Sequence, residues 1–180
     1  MAQPGRKDLI RFSFSPTSYI DIKLLYDDAP KTCKALVESL FPSSPEVTPT
    51  VVKTLHAKNS GAEALFITPT VISDVGDENT TVNVTVGDML FCFEPIGICQ
   101  HAKTADRSEV AWVYDVACVP RRWVSSPLGS DPTNQTPPFE TVDVPLNKWG
   151  KVVREEGGFY SMCNDLCRSG ALDMKIQWVE

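Results

Sequence analysis

Tyr19-Ile20-Asp21-Ile22-Lys23-Leu24-Leu25-Tyr26 runs directly into Asp27-Asp28-Ala29-Pro30, and then into Lys31-Thr32-Cys33-Lys34-Ala35-Leu36-Val37-Glu38-Ser39-Leu40. The first stretch alternates. Ile20, Ile22, Leu24 and Tyr26 fall on one face, and Asp21 and Lys23 on the other, which is the period of a half-buried strand. Asp27-Asp28-Ala29-Pro30 is a helix-start signal: an Asp can accept from the free first-turn amides, and Pro is tolerated where an amide has no partner. Cys33, Leu36, Val37 and Leu40 then recur at helical spacing. The pattern predicts a helix over Pro30–Leu40 that turns those four residues toward a core and stops before Pro42.

Outward from this unit the chain reads mainly as short strands. Leu9–Phe14, Thr50–Leu55, Ala64–Ile67, Thr80–Val86, Met89–Phe93 and Glu109–Val119 are apolar or alternating. Gly87-Asp88 makes a tight turn, and Ser73–Asn79 an acidic one. In Ala171–Val179, Leu172, Met174, Ile176 and Trp178 alternate with Asp173, Lys175 and Gln177, so the chain closes on a half-buried strand. Leu146–Arg154 and Phe159–Cys167 read as short helices. Pro120–Pro145 is rich in Pro, Ser, Thr and Asn and reads as a long surface loop beside a pocket mouth. The sum is one mainly β domain over residues 1–180, with about eight strands and one main helix crossing an opening. Closing such strands into a barrel removes exposed edges, and barrel mouths often hold small ligands.

The 180 residues are 42% hydrophobic and 22% charged, which is ordinary for a folded domain, and the net charge is -6. Scattered basic residues and an acidic balance argue against nucleic-acid binding. No apolar run reaches the ~18 residues of a membrane span, and Met1–Asp8 lacks the apolar stretch of a signal peptide. A cytoplasmic protein is therefore expected. The six cysteines form no Cys-x-x-Cys pair, so thiols rather than disulfides are expected. Cys163 and Cys167, spaced i, i+4, read as small buried apolar residues on one helix face. With only His56 and His101 as further soft ligands, no zinc site is expected. Asp74, Asp77 and Glu78 read as a solvated turn, because they lack calcium-loop spacing. No phosphate loop, dinucleotide fingerprint or Gly-x-Ser-x-Gly elbow is present, and no cofactor is expected.

The strand-to-helix unit over Tyr19–Thr32 resembles the entry of cyclophilins, in which an alternating strand runs into Asp-x-x-Ala-Pro-Lys-Thr. Here Asp28 stands directly before Ala29-Pro30-Lys31-Thr32, a shorter spacing. The catalytic Arg followed by Phe and Met, and the Gln-Gly-Gly segment of true prolyl isomerases, have no counterpart. Leu55-His56-Ala57-Lys58-Asn59-Ser60-Gly61-Ala62-Glu63, Val86-Gly87-Asp88-Met89-Leu90 and Val113-Tyr114-Asp115 instead resemble the small cyclophilin-like proteins of unknown function. The resemblance covers most of the chain except Pro120–Pro145. It implies a cyclophilin-like closed β-barrel more than it implies a reaction.

His56 is the first candidate for chemistry, because imidazole titrates near neutral pH. Glu63 can orient it or act as a base, Tyr114 can donate a proton, and Asn59 or Ser60 can donate to a developing oxyanion. The competing reading is a structural His in a polar hairpin. Asp115 at a strand end suits a substrate hydroxyl or a turn amide. Trp112, which shares a face with Tyr114, is a pocket wall or core. Arg121, beside Arg122, can hold a carboxylate or stand solvated.

These residues suit a cofactor-independent isomerase, cyclase, lyase or hydrolase acting on a small carbonyl or carboxylate compound by acid-base chemistry. His56, Glu63 and Tyr114 would be catalytic, and Asn59, Ser60, Trp112, Asp115 and Arg121 would bind substrate. The alternative is a small-ligand-binding or regulatory module without turnover, and peptidyl-prolyl isomerisation is the weakest reading. The expected partner is a small molecule, not nucleic acid or membrane. The oligomeric state stays open, a homodimer included.

Overall fold

The computed structural model describes residues 7–42, 49–57, 60–73, 75–96, 105–125 and 139–179. Eight strands form a closed antiparallel barrel: β1 (Leu9–Ser15), β2 (Ser18–Leu24), β3 (Thr50–His56), β4 (Glu63–Ile67), β6 (Asp88–Glu94), β7 (Arg107–Val113), β10 (Leu146–Glu156) and β11 (Leu172–Trp178). Their order is β2-β1-β11-β3-β4-β7-β6-β10, and pairing of β2 with β10 closes the ring. The short β5 (Thr80–Thr81) hangs on β10 beyond the ring. A mainly β, eight-stranded barrel is the architecture read from the sequence.

Alternation fills the barrel. Ile10 and Phe12 of β1, Ile20 and Ile22 of β2, Phe66 of β4, Trp112 of β7 and Met174 and Ile176 of β11 are fully buried. Phe12 meets Phe66 and Trp112 edge-on at ring-centre distances of 5.7 and 5.8 Å. Such pairs add about 0.5–1.5 kcal/mol each beyond the area they bury.

Two helices close the ends. α1 (Pro30–Leu40) buries Cys33, Leu36 and Leu40 and half-buries Val37, the face read from the sequence. The Cys33 thiol donates to the Trp149 carbonyl at 3.3 Å, which ties the helix to β10. The capping expectation is corrected. Neither Asp27 nor Asp28 caps α1; its N-cap is Ala29. Glu78 reaches in from a distant turn and accepts from the Lys31 amide (3.2 Å), the Thr32 amide (2.8 Å) and the Thr32 hydroxyl (3.0 Å). Glu78 is thus a helix cap, not a solvated turn residue. α2 (Phe159–Ser169) lies at the opposite end. There Phe159 stacks on Phe14 of β1, and Met162 accepts from the Ser18 hydroxyl of β2.

Four further expectations are corrected. Leu146–Arg154 is strand, not helix. Register shifts at Lys148/Gly150 and Val152/Arg154 break its alternation, so Leu146 and Trp149 fall at helix-like spacing. Pro120–Pro145 is not all loop: β8 (Arg121–Ser125) and β9 (Phe139–Asp143) pair as a separate hairpin. The strand expected over Thr80–Val86 shrinks to Thr80–Thr81, and that expected over Glu109–Val119 ends at Val113. The Gly87-Asp88 turn holds. Buried Asp88 accepts from the Thr85 amide at 2.9 Å and from the Lys151 ammonium at 2.8 Å. Among the described residues no helix is long and apolar enough to cross a membrane.

Candidate functional site

β3 ends at His56, β4 begins at Glu63 and β7 ends at Val113, so three strand ends meet at the α2 end of the barrel. Register pairs His56 with Ala64, and Ala64 with Trp112. Paired residues share a face, so His56 stands on the inward face above Trp112. Past β7, the Tyr114 amide donates to the Ala62 carbonyl at 3.1 Å, which holds that residue against the start of β4. The result is a contact between side chains 58 positions apart: His56 Nε2 and the Tyr114 hydroxyl lie 2.6 Å apart. The tautomer of His56 sets which of them donates.

Tyr114 is 8% exposed. Burial pushes its phenol up to about 12, and the acidic groups Cys167, Cys163, Asp115 and Cys118 push the same way. Near neutral pH the phenol therefore keeps its proton and serves as a hydrogen-bond donor. Beneath the pair, Trp112 is fully buried, and its indole N–H donates to the Cys163 thiol of α2 at 3.3 Å. Burial holds the Cys163 thiol at about 12, far from a reactive thiolate. The i, i+4 reading of Cys163 and Cys167 is half right: both lie on α2, but Cys163 is buried while Cys167 is exposed. The five described cysteines are thiols. Cys99 and His101 lie outside the described residues.

The other candidates scatter. Glu63 is fully buried, but it pairs with Val113, and alternation sets its side chain on the face opposite Ala64 and His56. Ser60 is buried in the loop between β3 and β4, where its amide donates to the Ala57 carbonyl and its own carbonyl accepts from the Val119 amide. At the adjoining Gly61, φ is +78° and a Cβ would stand 2.4 Å from the Ala117 carbonyl oxygen, so this loop requires glycine. Asp115 is exposed and accepts from the Val116 amide at 2.6 Å, a turn role. Trp112 is core. Arg121 is the first residue of β8, paired with Asp143. Asn59 and Asp74 lie outside the described residues. Sequence reasoning missed α2 as the cover of the site. The signal was available in Phe159, Cys163 and Leu166, which share one helical face.

Among the described residues one other cluster has metal-ligand chemistry. Ligand atoms of Cys92, Glu94 and Glu109 lie within 4.8 Å of one another. Arg107 already forms ion pairs with Glu94, at 3.2 Å, and with Glu109. The guanidinium thus supplies the positive charge that a metal would bring, so the cluster reads as a buried ion-pair network.

The class that emerges is a small closed β-barrel with a part-buried His–Tyr pair at one end, beside the helix α2. Residues 15–178 match the model of a family described as "Protein of unknown function (DUF3830)", and the chain belongs to that family. Among solved structures, that of McbB in complex with tryptophan matches with a TM-score of 0.56 at 13% identity, covering 94% of this chain and 44% of that one. The chain thus spans less than half of that protein's length, and the likeness is one of fold. No curated protein matches the chain.

Proposed function

We propose that the barrel end under α2 is a small-molecule site, and that the chain acts there as a cofactor-independent enzyme on a small carbonyl or carboxylate compound. The observation that carries this reading is the part-buried 2.6 Å contact between His56 and Tyr114. Imidazole is the side chain suited to exchange a proton near neutral pH. A phenol held at about 12 remains protonated there and stabilises negative charge developing on a substrate oxygen. Isomerisation, cyclisation, elimination and hydrolysis of a carbonyl compound all need that pair of roles. Glu63, on the other strand face, supports β4 rather than the reacting atoms in this reading. The resemblance of Tyr19–Thr32 to the cyclophilin strand-to-helix entry supports the reading of a closed barrel with α1 across one opening.

Use of the same site for binding without turnover is the second reading. It draws on the tryptophan complex of the structurally similar McbB. A panel of small keto acids, carboxylic acids and amino acids, L-tryptophan included, tested against the full chain by ligand-observed NMR and by turnover, separates the two. In the enzyme reading, His56→Ala lowers turnover by roughly 10²–10⁴-fold with the fold intact, and Tyr114→Phe lowers kcat more than it raises KM. Binding without turnover, lost in both variants, gives the second reading. Turnover unchanged in a folded His56→Ala protein removes the first.

A further inference from the structure

The two helices have 11 residues each, but they are fastened to the barrel in different ways. α1 is tied to distant chain at both ends. At its start Glu78 holds the Thr32 amide and hydroxyl, and the Asn147 side-chain amide donates to that hydroxyl at 3.2 Å. At its end the Thr50 hydroxyl donates to the Leu40 carbonyl, and the Thr70 hydroxyl donates to the Ser39 hydroxyl at 2.8 Å. α2 has no side-chain cap at its N-terminus. Among the described residues its side chains meet the barrel in two hydrogen bonds, and both end on sulfur. Ser18 donates to Met162 at 3.2 Å, and Trp112 donates to Cys163 at 3.3 Å. Sulfur is a weak acceptor.

The apolar anchorage of α2 is concentrated at its start. Phe159 is fully buried, stacks on Phe14 at 4.7 Å and stands 6.1 Å from Trp112. Beyond Cys163 only Leu166 is buried, while Cys167, Arg168 and Ser169 are exposed. The flanks repeat this asymmetry. Gly157 is pressed against the Thr17 carbonyl, whereas a Cβ on Gly170, at a φ of +78°, would meet nothing within 4 Å. The lightly held half is the one beside Tyr114, because the Cys167 and Cys163 thiols add to burial in raising its phenol. Tyr114 is 8% exposed, so little of it is open to a substrate while α2 is seated.

We infer that α2 is a hinged lid: its C-terminal half lifts from Trp112 and Tyr114, pivoting on the Phe159 turn and turning at Gly170, while the barrel and α1 stay folded, and so admits a small molecule to the His56–Tyr114 pair. This rests on the reading of that pair given above. Elements with few buried contacts open locally at a lower cost than global unfolding, and lids are drawn from them.

Hydrogen exchange in the full chain, read by mass spectrometry over a series of low urea concentrations, tests the opening. The hydrogen-bonded amides of residues 163–169 exchange about 100-fold or more faster than those of residues 34–40 and depend little on urea, whereas the α1 amides follow global unfolding. N-Ethylmaleimide is the probe of entry. Mapped by peptide mass spectrometry, it labels Cys163 before Cys33, although both thiols are 0% exposed. Ser18→Ala removes one fastening and speeds α2 exchange about threefold, with α1 exchange unchanged. Exchange of both helices at one rate with one urea dependence overturns the inference, as does labelling of Cys33 before Cys163. Equal acceleration of both helices in Ser18→Ala overturns it too, since the bond then holds the whole fold. Local opening of α2 in a protein whose His56→Ala variant keeps full turnover supports the lid and removes the reading of the pair.

Discussion

Replacing Glu78 by Ala tests how the barrel end under α1 is held. Its carboxylate accepts two first-turn amides and one hydroxyl of α1 at 2.8–3.2 Å. Thr32 is 0% exposed, so its amide loses a partner that water does not readily replace; its hydroxyl keeps a contact of 3.2 Å with the Asn147 amide group. Loss of an ordinary cap costs about 1 kcal/mol, and an orphaned buried donor costs about 1–3 kcal/mol. These overlap, so about 2 kcal/mol is expected, a fall of about 4–8 °C in melting temperature at this chain length. Thermal unfolding followed by circular dichroism at pH 7 reads it. The pH dependence adds a sign. Burial opposes ionisation of Glu78, but the hydrogen bonds from Thr32 and Lys31 and the Lys31 charge outweigh it, so its pKa lies below the ordinary glutamate value of 4.5. A lowered folded pKa means stability present above the unfolded value and lost as pH falls through the folded one. The gap between wild type and Glu78→Gln therefore closes below about pH 4.5. If Glu78→Ala melts within a degree of wild type while the Asp27→Ala, Asp28→Ala double variant melts several degrees lower, the cap assignment is wrong.

Ultraviolet titration of the four tyrosines shows late ionisation of Tyr114 and Tyr160, both raised by burial to about 12. Phe substitution at either one removes one late step, and stability falls as pH rises from about 10 toward 12, because the neutral phenols are the buried form. Gly157→Ala loses about 2 kcal/mol or more in denaturant unfolding, since φ is +63° and a Cβ would stand 1.8 Å from the Thr17 carbonyl oxygen. A thiol reagent at pH 8 modifies exposed Cys167 quickly and buried Cys163 slowly. Comparable rates in single-Cys variants would refute the packing of Cys163 against Trp112.

The sequence by itself determined whatever rests on local period. Ile20, Ile22 and Leu24 alternate because strand side chains alternate. Cys33, Leu36 and Leu40 share a face because 3.6 residues make a turn, and the Pro30–Leu40 helix follows from those facts. Leu172–Trp178 was legible for the same reason. The reading failed where the period is broken by contacts with distant chain. Two register shifts disguised β10 as helix, and a side chain 46 positions away, not the adjacent aspartates, caps the Thr32 amide. His56 and Tyr114 could be named singly because imidazole and phenol have characteristic chemistry. Their meeting and Glu63's placement on the opposite face were decided by the tertiary structure. Strand register fixes which of two faces a residue joins, and ring closure fixes which strands are neighbours, and neither is a local property of the chain.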